Sequence, residues 1–132
     1  VSGGSEKTGE IKKEAIMALQ VRERSMPNGV ILELAGDLTY ANREQFKTAV
    51  ESVRQRGVRH LVLDMSSVRF IDSSGLGLLA LVAQQFKLTQ GRLSLLKPQA
   101  YVREIMALAN IPSLIPMYES EQDAVASCAK AA

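Results

Sequence analysis

A single α/β domain built on a mostly parallel sheet is the fold class this sequence predicts. Three observations carry the prediction. Apolar residues with a period of two flank a Pro-Asn-Gly turn near the N-terminus, the mark of an antiparallel hairpin. Beyond it, stretches with helical spacing alternate with short apolar runs, the order that winds a parallel sheet with right-handed crossovers. One of those runs, Leu61-Val62-Leu63, is apolar without interruption, as a strand buried on both faces should be.

Each element follows from its own residues. From about Ile16, the residues Met17, Leu19 and Val21 alternate with Ala18, Gln20 and Arg22, which predicts a strand with one wet face. A helix over residues 10–20 is the competing reading of that stretch. Met26-Pro27-Asn28-Gly29 turns the chain, because Pro presets one dihedral and Asn-Gly accepts positive φ. A second strand follows, with Val30, Leu32 and Leu34 on one face. After Gly36-Asp37-Leu38, the residues Phe46, Ala49, Val50 and Val53 recur at helical spacing opposite Arg43, Glu44, Lys47, Glu51 and Arg54. Thr39 or Asn42 is expected to cap this helix and Gly57 to close it.

The strand at Leu61-Val62-Leu63 is expected to end in a turn around Ser66-Ser67-Val68, with a short extended piece, Arg69-Phe70-Ile71, after it. A second helix is expected from about Ser74 to Thr89, ended by Gly91. Its start is apolar nearly all round (Leu76, Leu78, Leu79, Leu81, Val82), which predicts cover by other elements. Then come a strand over residues 92–96 and a helix with Pro98 as its first residue, running through Val102, Ile105, Met106 and Ala109. Pro112 and Pro116 bracket a loop and a short strand over residues 115–118. Ser120 caps a last helix with Glu121 and Asp123 in its first turn. The predicted order is β-β-α-β-α-β-α-β-α, with four helices, in one domain over residues 16–130. The Gly- and Ser-containing residues 1–15 are expected to be a flexible tail.

Composition narrows the function. The 132 residues are 46% apolar and 23% charged, ordinary for one soluble globular domain. Sixteen basic against 14 acidic residues leave a net charge of +2, which predicts no direct nucleic-acid partner. The cluster Arg54, Arg56, Arg59 and His60 reads as a solvated helix end. Cys128 is the single cysteine, so no internal disulfide forms and a reducing compartment is expected. It is expected on the inner face of the last helix, with a reactive thiol as the competing reading. No run approaches the roughly twenty apolar residues of a membrane span, and no signal peptide is evident. A cytoplasmic location is therefore expected.

The catalytic inventory is short. His60 is the single histidine and has no evident nucleophile partner. No Cys, His or carboxylate spacing points to a metal. G-x-S-x-G, G-x-x-x-x-G-K and G-x-G-x-x-G are all absent. Neither an enzyme nor a bound cofactor is expected.

What remains is Asp72-Ser73-Ser74-Gly75, two hydroxyls at the mouth of a helix. The first backbone N–H groups of a helix lack internal partners, so the place suits an anion or a modified serine. Gly75 and Gly77 would keep side chains away from an approaching protein. Taken by itself the run reads first as a plain helix start, since Asp and Ser are good caps.

The run FIDSSGLGLLA, preceded by HLVLDMSSV, resembles the signature of the STAS domain, named for sulfate transporters and anti-sigma factor antagonists. The resemblance extends over residues 16–127, including Gly36-Asp37-Leu38 upstream and Gly91-Arg92-Leu93 downstream. It implies an anti-sigma factor antagonist with Ser73 as phosphoacceptor and Ser74 as the second choice. It matches Asp72 to the motif aspartate and Asp37 to an acidic position near the phosphorylation site. Asp37, Asp72, Ser73, Ser74, Gly75 and Leu76 would then meet the partner. That partner is an anti-sigma factor that is also a serine kinase and brings its own ATP and magnesium. A serine phosphatase resets the system, and this chain is expected to be a monomer or weak dimer. Two other roles for the same fold are an accessory subunit of a lipid or anion transport system and a subunit of a stress-sensing assembly.

Overall fold

The computed structural model describes residues 18–131. The expected tail over residues 1–15, the first strand's opening at Ile16 and Met17, and most of the competing helix over residues 10–20 lie outside the described residues. Five strands form one sheet in the order β1 (Gln20–Met26), β2 (Gly29–Leu38), β3 (His60–Ile71), β4 (Arg92–Leu96) and β5 (Met117–Tyr118). β1 and β2 pair as the antiparallel hairpin, and every later neighbour is parallel. Four helices connect and close the sheet: α1 (Arg43–Gln55), α2 (Ser73–Leu88), α3 (Ala100–Leu108) and α4 (Glu121–Ala131). The predicted α/β class and element order hold throughout this range.

The period of two sorts the core into unequal layers. Val30, Leu32, Leu34, Leu61, Leu63, Leu93 and Leu95 point to the main core, where Phe46, Val50 and Val53 of α1, Leu79, Val82 and Phe86 of α2, and Val102 and Met106 of α3 meet them. Ile31, Val62 and Leu96 point the other way, against Ala124 and Cys128 of α4. The uninterrupted Leu61-Val62-Leu63 run is thus buried on both sides, as its composition predicts. Cys128 sits on the inner face of α4, and burial pushes its thiol above the usual range. Arg24 of the hairpin bonds both Glu33 and Glu121 at 2.6 Å, joining β2 to the start of α4.

Local chemistry places several helix ends as expected. Gly57, with φ of 78°, follows the last turn of α1 and donates its N–H to the Arg54 carbonyl. Ser120 Oγ accepts the Asp123 N–H at 3.1 Å at the head of α4.

Other expectations fail for tertiary reasons. Neither Thr39 nor Asn42 caps α1 with its side chain. A short 3-10 turn, Tyr40–Asn42, leads into the helix, and Asn42 Nδ2 donates instead to the Asp37 carbonyl at 2.8 Å. Pro98 is not the first residue of α3, which starts at Ala100 after Gln99. No turn interrupts β3 at Ser66-Ser67-Val68. The pairing with β2 slips there, from Glu33 opposite Asp64 to Ala35 opposite Ser67, and the inward set passes from Met65 to Val68. Asp64 Oδ1 accepts from both the N–H and the hydroxyl of Ser66, at 3.0 and 2.7 Å, so the turn-forming residues make a bulge inside a continuous strand. The apolar start of α2 is covered on one side alone: Leu79 and Val82 are buried, Leu76 and Leu78 are half-buried, and Leu81 is exposed. Leu78 and Leu81 instead line an open groove between α1 and α2, with Lys47 and Glu51 on its far wall.

Candidate partner-binding and phosphorylation site

The parallel strands β2, β3 and β4 all end on one side of the sheet, where α/β domains usually hold their ligands. The Asp72-Ser73-Ser74-Gly75 run lies at this end, between β3 and α2. Asp72 is the N-cap, with extended backbone angles. Its Oδ1 accepts the Gly75 N–H at 2.9 Å, its Oδ2 accepts the Tyr40 N–H at 3.1 Å, and its own N–H donates to the Leu38 carbonyl at 3.3 Å. One carboxylate therefore holds the head of α2 to the segment that leaves β2. Ser73, rather than Ser74, is the first helical residue.

The neighbours of Ser73 are held while Ser73 is exposed. Ser74 and Leu76 are half-buried, and Gly75 is buried. A Cβ on Gly75 would lie 2.2 Å from the Leu38 carbonyl oxygen and 2.8 Å from Ile71 Cγ1. Gly75 thus permits the close approach of α2 to the end of β2, whereas a Cβ on Gly77 would meet open space. Asp37, expected at the partner surface, is 7% exposed. Arg69 reaches both of its carboxylate oxygens at 3.4 Å. Its charge is therefore paired within the chain.

Sequence reasoning missed the aromatic residues at this end. Tyr40 follows β2, Phe70 stands at the end of β3, and Tyr101 opens α3 after β4. All three are exposed. A count of aromatics on the solvent side of strand ends would have raised them, but only once the strand order was known.

At the opposite end of the sheet, His60 is buried opposite Arg92, so it belongs to β3 and not to a solvated helix end. Burial, then the charges of Arg59 and Arg92, push its imidazole below the ordinary value. The other members of that basic cluster are engaged: Arg54 pairs with Glu51, Arg56 with Glu23, and Arg59 donates to the Gln90 carbonyl.

Comparison with known proteins agrees with this architecture. The STAS domain family profile matches residues 18–124. A proposed anti-sigma factor antagonist of Bordetella bronchiseptica, BtrV, is 33% identical over 94 residues, covering 71% of this chain and 81% of BtrV. The anti-sigma F factor antagonist of Paenibacillus polymyxa is 24% identical over 113 residues, covering 83% of this chain and 94% of that protein. Among solved structures, the unphosphorylated anti-sigma factor antagonist SpoIIAA superposes with a TM-score of 0.71 at 22% identity, over 86% of this chain and 97% of SpoIIAA. The phosphorylated form of Bacillus SpoIIAA gives 0.63 at 22% identity, over 83% of this chain and 98% of its own. At that identity the likeness is one of fold. With a profile match that spans the sheet, the first three helices and the Asp72–Gly75 run, the chain belongs to the STAS domain family, and both of these sequence relatives carry the name of anti-sigma factor antagonists.

Proposed function

We propose that this chain is an anti-sigma factor antagonist that binds an anti-sigma factor with serine kinase activity and is released when Ser73 is phosphorylated. The observation that carries the reading is an exposed serine at the first position of α2, flanked by residues that are all held in place. A kinase can take such a hydroxyl without unfolding its surroundings. The ATP and magnesium belong to the kinase, and a serine phosphatase restores the unmodified chain. No helix among the described residues is long and apolar enough to cross a membrane.

The release is electrostatic and local. Phosphate adds about −1.5 to −2 charges at neutral pH beside Asp72. Asp72 already occupies the Gly75 and Tyr40 N–H groups, so the phosphate finds fewer unpaired donors at the helix mouth than an uncapped helix would offer. The helix dipole offsets about 0.3–1 kcal/mol. Weakening a complex a hundredfold takes about 2.7 kcal/mol, which one desolvated like-charge contact can supply. Asp37 does not strengthen this field, because Arg69 neutralises it.

The test is incubation with the organism's candidate anti-sigma kinases and ATP, followed by mass mapping. Ser73 is the expected modified residue. Ser73→Ala should bind the kinase and stay unmodified, and Ser73→Asp should bind poorly. Modification of Ser73→Ala at the wild-type rate would move the assignment to Ser74 or end it. Capture of a membrane ATPase would instead favour the transport-subunit role, and a large stable oligomer the stress-sensing assembly.

A further inference from the structure

We infer that Tyr40, Phe70 and Tyr101 form the surface on which the anti-sigma kinase docks, and that this surface sets affinity and partner choice separately from the hydroxyl that is modified. The inference rests on the reading of Ser73 given above. The chain has three Phe, three Tyr and no Trp. Phe46 and Phe86 are core residues, and Tyr118 is half-buried with its hydroxyl receiving a bond from Arg92. The other three aromatics are exposed at 59% (Tyr40), 40% (Phe70) and 55% (Tyr101). Far apart in sequence, they lie just after β2 (Tyr40), near the end of β3 (Phe70) and in the first turn of α3 (Tyr101), on the side of the sheet that carries Ser73.

They are also held in place before any partner arrives. The rings of Phe70 and Tyr101 stack with centroids 6.3 Å apart and planes inclined by 22°. The Arg43 guanidinium lies 3.6 Å from the centre of the Tyr40 ring and donates to the Tyr40 carbonyl. The Tyr40 N–H is bonded to Asp72 Oδ2, which ties that residue to the cap of α2. Rigid aromatic side chains bury much area for little lost entropy, which is why Tyr, Trp and Arg dominate interface energetics.

The occupant follows from geometry. A kinase that transfers phosphate to Ser73 must lie on this end of the sheet. A standard interface covers about 800 Å² per partner, a disc of radius about 16 Å. Phe70 stands three residues before Ser73, at most about 11 Å along an extended chain, Tyr101 stacks on Phe70, and the Tyr40 N–H is bonded to Asp72, the residue before Ser73. The kinase that reaches Ser73 therefore covers the aromatic cluster as well.

The test uses the kinase found to phosphorylate Ser73, with binding measured by titration calorimetry and phosphorylation by steady-state kinetics. Tyr101→Ala and Tyr40→Ala should each weaken binding at least tenfold and raise KM by a similar factor, while kcat stays within about twofold. Tyr101→Phe should restore binding. Leu88→Ala removes an exposed apolar side chain at the far end of α2, about 22 Å along the helix from Ser73, and should change neither constant. Thermal melts identify any variant that fails to fold, and Tyr101→Phe carries the comparison in that case, with wild-type binding expected. Wild-type Kd and KM for both alanine variants, with Ser73 still modified, would overturn the docking surface and leave the proposed function standing. Variants that alter only self-association would give the patch to a second copy and overturn it too. A wild-type chain that no candidate kinase modifies would remove both readings together.

Discussion

Two glycines two residues apart on α2 should respond to the same substitution with opposite signs. In Gly75→Ala the new Cβ would meet the Leu38 carbonyl oxygen at 2.2 Å, a backbone atom that cannot swing aside, and Ile71 Cγ1 at 2.8 Å. The head of α2 must then lift from the end of β2, which strains the Gly75 N–H bond to Asp72 Oδ1 and the Tyr40 N–H bond to Oδ2. Overpacking costs about 1–3 kcal/mol and a weakened cap about 1 kcal/mol. A loss of about 2–4 kcal/mol corresponds to a fall in Tm of roughly 6–15 °C for a domain of this size. In Gly77→Ala the Cβ meets nothing within 4 Å, so the variant keeps every contact. It should gain about 0.5–1 kcal/mol from the better helix propensity of alanine. Urea titration and calorimetric melts of both variants read the difference. A Gly75→Ala protein that melts with the wild type, or a Gly77→Ala protein that melts below it, would refute the argument that close approach of α2 to β2 holds the site.

Three further outcomes follow from the same geometry. Asp72→Ala leaves two backbone N–H groups without their carboxylate and should cost about 1–3 kcal/mol in urea unfolding; an unchanged midpoint would mean that the cap contributes nothing. The His60 imidazole is held below its ordinary 6.5 by burial and by Arg59 and Arg92, so it takes up a proton more readily in the unfolded chain. Its contribution is complete above pH 6.5 and is lost as pH falls through the folded value. Tm should therefore drop more steeply between about pH 7 and pH 5 in the wild type than in His60→Gln, and parallel curves would contradict the assignment. Cys128 is 1% exposed with its thiol pushed up by burial, so it should resist alkylation in buffer and react only in denaturant. Labelling at equal rates in the two conditions would place it elsewhere.

Much of this protein is legible in its residues because the signals are local. The alternation after Gly29, the helical spacing of Phe46, Val50 and Val53, and the Ser120 cap each depend on neighbours within a turn or two. So does the mouth of α2, since an Asp followed by Ser-Ser-Gly caps a helix wherever it is placed. The place of Ser73 at a helix start is therefore written in four consecutive residues. Tertiary pairing decided the rest. Residues 66–68 have the chemistry of a turn, yet the ladder with β2 carries the strand across them as a bulge. Asp37 has the character of a surface charge, but the register sets it beside β3, within reach of Arg69. Leu81 stays open because α2 has the sheet on one side only. The stacking of Phe70 on Tyr101 and the bond from Tyr40 to Asp72 depend on which segments lie side by side, and that is set by hydrogen bonds between segments dozens of residues apart. Periodicity carries no information about such partners, so a surface assembled from these segments exists only in the folded chain.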